Sequence, residues 1–125
     1  MHAIANKIGY PDKLEGYKGL EIERGSYFQN NLKASEFLIK RNMAKATKPV
    51  DRSEWGMTPP TVNAYYNPSL NEIVLPAGEL QPPFFSKDFY APVNIGDEGA
   101  NTIGHEITPG FDDEGSQFDG DGNLR

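Results

Sequence analysis

The 125-residue chain contains no cysteine. No disulfide can staple it, and any metal site must be built from His, Asp or Glu. Basic residues are outnumbered, 12 Lys and Arg against 18 Asp and Glu, for a net charge of −6. Phosphate backbones are bound by clustered cations, so no nucleic-acid partner is expected. The densest basic group is Lys40, Arg41, Lys45 and Lys48; it falls on an expected helix and its exit and reads as a solvated face. No apolar run is long enough to span a bilayer, and Met1 to Tyr10 holds none of signal length. The Asn-x-Ser match, Asn67-Pro68-Ser69, is closed to glycosylation by its proline.

What remains is a loop-rich globular composition, 37% hydrophobic and 24% charged, with 13 Gly and 10 Pro. The length allows one domain of modest size with a small core. Residues 1–25 read as an irregular lead-in, with a turn at Gly9-Tyr10-Pro11-Asp12. Residues 26–46 read as an amphipathic helix. Phe28, Leu32, Ile39 and Met43 fall at helical spacing with Ser35 in the same stripe, Ser26 is suited to the N-cap, and Pro49 lies beyond the end. That stripe is expected in the core.

Residues 61–76 read as a hairpin. Two β-branched and aromatic runs, Thr61 to Tyr66 and Glu72 to Pro76, flank the turn-forming Asn67-Pro68-Ser69-Leu70-Asn71. Residues 97–113 read as a second helix, with Ala100, Ile103, Ile107 and Phe111 on one face. Asp97 is the expected N-cap, and Glu98 falls in the first turn, where the helix dipole favours an acid. Residues 114–125 form a polar tail. Its Asp119-x-Asp121-x-Asn123 resembles the start of a calcium loop. Leu124 stands where such a loop needs Gly, so a plain turn is expected.

The second helix carries His105-Glu106-Ile107-Thr108, followed by Pro109. A His and the residue four later project from one helix face, a spacing that suits two imidazoles on one zinc ion. A Glu beside the first His is placed to take a proton from metal-bound water. The pattern here is His-Glu-x-x-Pro, which is weak evidence by itself.

Its surroundings are more specific. Gly104 to Thr108, Gly110-Phe111-Asp112-Asp113 and the later Phe118-Asp119-x-Asp121-Gly122-Asn123-Leu124 resemble the zinc helix and the segment after it in the neprilysin family of metallopeptidases. Val62-Asn63-Ala64-Tyr65-Tyr66, Ile73-Val74-Leu75-Pro76-Ala77-Gly78, Leu80-Gln81-Pro82-Pro83-Phe84 and Trp55-x-Met57-x-Pro59 extend the resemblance, and Lys7 to Asp12 fits it upstream. The resemblance implies an α+β fold, part of a thermolysin-like catalytic domain, and peptide substrates. It implies that His105 is a zinc ligand and Glu106 the catalytic base. Asn63 and Ala64 would belong to the strand that pairs with the substrate backbone, and Asp112 would orient a ligand from one layer out.

Two departures oppose activity. Pro109 occupies the place of the second zinc-binding His; it has no ligand atom and removes a helical hydrogen bond. The family's third ligand, a Glu on a later helix, is expected beyond Arg125. Zinc catalysis needs three protein ligands and an open position. The expectation is therefore a zinc endopeptidase by resemblance, with zinc occupancy in doubt and no activity in this chain alone. The alternatives are a non-catalytic peptide-binding relative, or a piece with no function of its own whose exposed apolar faces self-associate. Family members include membrane-anchored and soluble bacterial enzymes, and the lack of cysteine favours the soluble bacterial kind.

Overall fold

The computed structural model describes residues 4–125. The chain divides into two compact units. One runs to Asp12 and resumes from Ser53 to Arg125; the other is Lys13–Arg52.

The smaller unit is built on helix α1, Tyr27–Met43. Ser26 is its N-cap, as its sequence position predicts, and the hydroxyl accepts the Gln29 N–H at 3.4 Å. Lys40 and Arg41 occupy the last turn, where the helix dipole favours cations. The expected core stripe is not buried: Phe28 is 64% exposed and Met43 71%. The half-buried face is instead Asn30, Ala34, Phe37 and Arg41. The reason is the lead-in that packs on it. The Phe37 ring stands 6.3 Å from that of Tyr17 and lies under the Arg41 guanidinium, which pairs with Glu15 at 2.7 Å. Asn30 donates to the Glu23 carbonyl at 2.8 Å and accepts the Glu23 N–H at 3.3 Å.

In the larger unit a three-stranded sheet runs in the order β1-β3-β2. Strand β1, Ala5–Gly9, is parallel to β3, Glu72–Pro76; strand β2, Tyr65–Asn67, is antiparallel to β3. The lead-in expected to be irregular thus holds a strand. Its partner lies far along the chain, so no local pattern announces it. The hairpin is present, but its first strand is shorter than the run of residues 61–66 suggests. Asn67 closes the turn by accepting the Ser69 N–H at 3.1 Å and hydroxyl at 2.8 Å, and Asn71 takes a left-handed φ of 46°. Strand β3 is buried throughout, as befits the central strand.

A continuous helical stretch then runs from α2, Ala91–Asn94, through a π-helical segment, Ile95–Ile103, into α3, Gly104–Ile107, and a 3₁₀ turn, Thr108–Gly110. It starts before residue 97. Tyr90 is the N-cap, Pro92 is tolerated in the first turn, and the Asn94 side chain ties the start to the Ser86 backbone at 2.8 and 3.2 Å. Asp97, the expected cap, is therefore inside the helix. The core is Ala64, Ile73 and Leu75, with Ile4, Leu80, Ile103 and Ile107 packed against it. The two isoleucines of the helix seat it on the sheet; Ala100 and Phe111, expected on the same face, are exposed. Among the described residues no helix is long and apolar enough to cross a membrane.

Candidate active site

His105 and Glu106 stand together on α3, His105 exposed and Glu106 half-buried. The helix changes character immediately after them. The Thr108 N–H and hydroxyl both reach the Gly104 carbonyl, the hydroxyl at 2.7 Å. Pro109 has no N–H to give the His105 carbonyl, and the chain tightens into a 3₁₀ turn with Pro109 in its first half. The sequence predicts a kink or end near Thr108, and the α-helix ends at Ile107. Ending there spares the chain the clash that an interior proline would impose.

These residues do not fit a zinc centre. The position one turn beyond His105 offers no donor atom. Among the described residues no three His, Cys, Asp or Glu side chains gather closely enough to hold a metal ion. The protein's other histidine, His2, lies outside the described residues.

Asp112, expected within the helix of residues 97–113, lies past its end. Its Oδ1 accepts the N–H groups of Glu114 at 3.0 Å and Gly115 at 2.8 Å, so it caps the next turn. Gly115 is buried, and a Cβ there would collide with the Pro109 carbonyl, so the tail packs closely onto the proline turn. Asn63 and Ala64 precede β2 instead of lying in it. Asn63 is exposed and its Oδ1 accepts the Ala64 N–H at 2.9 Å; Ala64 is a core residue, 5% exposed. The end of the helix and β2 are nevertheless neighbours, because a Cβ on Gly110 would sit 3.0 Å from the Tyr66 hydroxyl. A shallow groove of about 490 Å³ is lined by Gly99, Ile103 and Ile107 of the helix and by Phe111 and Asp112 just after it, and neither His105 nor Glu106 lines it.

The electrostatics around the helix are acidic. Glu79, on the turn after β3, and Glu98, in the π-helical segment, are each 5% exposed. Burial raises the Glu79 carboxyl above its ordinary range, and the charges of Asp97 and Glu106 add to it. Burial does the same to Glu98, helped by Glu79 and Asp97. Residue order alone puts Glu98 in the first turn of the helix and does not single out Glu79. The available signal is an acid in the otherwise apolar run Val74 to Leu80. In the tail, Asp119 accepts the backbone N–H groups of Asn123 and Asp121, each at 2.9 Å, and the Asn123 side-chain amide. The Asn123 backbone N–H leads in holding its carboxyl below the ordinary range. These hydrogen bonds fold residues 119–123 into a tight turn.

Known proteins resemble this chain in sequence and fold. The model of Peptidase family M13 matches residues 63–125. An endothelin-converting enzyme homolog of Locusta migratoria is 46% identical over 98% of this chain, and Neprilysin-11 of Caenorhabditis elegans is 48% identical over 98%. The chain spans 18% and 15% of their respective lengths. Among solved structures, zinc metalloprotease Zmp1 of Mycobacterium tuberculosis in complex with an inhibitor superposes with a TM-score of 0.93 at 50% identity, over 99% of this chain and 19% of that one. PepO of Lactobacillus rhamnosis gives 0.89 at 36% identity, over 99% of this chain and 20% of that one. With a matching family model and this fold, the chain belongs to peptidase family M13, the neprilysin type of zinc metallopeptidase.

Proposed function

We propose that this chain is part of the catalytic domain of an M13 peptidase, acting on peptide substrates in its complete and intact form, and that the chain as it stands does not hydrolyse peptides. In this reading His105 is the surviving zinc-ligand position and Glu106 the position of the general base. The single observation that carries the inactivity is Pro109. It removes a donor from the position one turn beyond His105, where the family pattern has its second imidazole. No hydrolytic step is assigned to Glu106, because the residues present do not form the metal site it would serve. The stripe of Phe28, Leu32, Ile39 and Met43 is exposed, and it is the surface on which the isolated chain would self-associate.

The test is hydrolysis of an internally quenched peptide with and without added zinc. No zinc-dependent turnover is expected. Turnover that requires zinc and disappears in Glu106→Gln would overturn the reading.

A second reading, peptide binding without cleavage, draws on one observation: β2 lies at an edge of the sheet. Edge strands can add an extended peptide through backbone hydrogen bonds, and the exposed Asn63 amide stands two residues before this one. Fluorescence anisotropy with an extended labelled peptide should then show saturable binding. Asn63→Ala should weaken it by about fivefold, the loss of one hydrogen bond worth about 1 kcal/mol. Binding unaffected by that change would count against the second reading.

A further inference from the structure

Glu98 is buried without compensation. It is 5% exposed, and neither carboxylate oxygen has a hydrogen-bond partner. It sits in the π-helical segment Ile95–Ile103, which leads directly into His105 and Glu106. The charged groups that act on it, Glu79 and Asp97, are both acidic. Glu79, equally buried, faces it from the turn after β3, and Asp97 precedes it on its own helix. Glu106 on α3 acts in turn on Glu79. Among the described residues no Lys, Arg or His pairs with the Glu98 carboxylate. An ionised carboxylate is strongly disfavoured in such surroundings, whereas a neutral acid is tolerated.

We infer that Glu98 is a proton-operated latch: as a neutral acid it stays packed beneath its helix, and as a carboxylate it leaves its seat and loosens the segment that presents His105 and Glu106. A π-helical segment suits that role, since its wide turns are a less stable arrangement that small forces can rewind. The inference does not depend on whether zinc binds. The sign of the linkage is set by burial, which lifts the Glu98 and Glu79 protons above the ordinary carboxylate range. The folded chain then holds protons that the unfolded chain has released. Stability is highest at or below the ordinary carboxylate range and falls as pH rises through the lifted values.

The experiment is thermal melting of the whole chain and of Glu98→Gln, followed by circular dichroism from about pH 5 to about pH 8. The natural chain should melt at least about 5 °C lower at the alkaline end. Glu98→Gln, neutral at every pH, should melt above the natural chain there and lose most of the fall. Parallel pH profiles, or a Gln variant that melts lower at the alkaline end, would overturn the inference. If the variant does not fold, carbon-13 carboxyl NMR of Glu98 in the natural chain decides. Titration above the ordinary carboxylate range supports the latch, and titration within or below it overturns it.

Discussion

Lys7→Ala is expected to lower the unfolding free energy by about 3–5 kcal/mol, because it strands a buried carboxylate. Lys7 on β1 and Glu72 on β3 share one face of the sheet: Ala5 is opposite Glu72 and Lys7 opposite Val74, so the two side chains meet diagonally. Their charged atoms are 2.6 Å apart, with Lys7 13% and Glu72 2% exposed. The same ammonium donates to the Glu54 carbonyl at 2.8 Å, tying the strand to the segment before the hairpin. Truncating the lysine leaves Glu72 at the centre of the sheet with its counter-charge gone. Domains are stable by only about 5–15 kcal/mol in total, so this one change removes a large share. The double variant Lys7→Met with Glu72→Leu should recover most of the loss, since apolar replacement of a buried pair costs little. Urea denaturation of the natural chain and both variants measures both effects. A single variant within about 0.5 kcal/mol of the natural chain would show that the pair contributes nothing.

Pro109→His is expected to make the melting temperature depend on zinc. It places an imidazole one turn from that of His105 and returns an N–H that can reach the His105 carbonyl. Position 109 is exposed, so the new ring enters no core. Zinc at about a hundred times its dissociation constant adds about 2.7 kcal/mol, which corresponds to roughly 10 °C or more for a unit of this size. The natural chain should melt at the same temperature with and without zinc, and a chelator should reverse the rise in the variant. Equal shifts in both proteins would mean that position 109 is irrelevant to the metal.

Much of the fold is legible in residues that are close in sequence. The Ser26 cap, the hairpin turn at Asn67 to Asn71 and the break at Thr108-Pro109 each depend on chemistry within one turn of the chain. The family motif is legible for the same reason: Gly104 to Asp113 is a contiguous string. The features that escape depend on distant partners. Strand β1 exists because β3 pairs with it, and nothing near Ala5–Gly9 encodes that. The buried face of α1 is set by Tyr17, Glu15 and Glu23, so hydrophobic spacing points to the wrong side. Asp97 reads as a cap by residue type, yet the helix starts earlier because Pro92 and the Asn94–Ser86 contacts organise its entry. Glu98 reads as a first-turn acid favoured by the helix dipole, yet it lies within the helical stretch, buried with no hydrogen-bond partner on its carboxylate. Around the site, backbone partners a few residues away decide placement. Asp112 caps a turn, and Asn63 and Ala64 lie ahead of the edge strand.

On the proposed reading, Pro109 leaves His105 as a lone donor on its helix. Zinc competition against a chromogenic chelator, run on the natural chain, His105→Ala and Pro109→His, tests it directly. The natural chain and His105→Ala should bind zinc equally weakly, and Pro109→His at least tenfold tighter, a gain of about 1.4 kcal/mol or more. One zinc ion held tightly by the natural chain and lost in His105→Ala would contradict it.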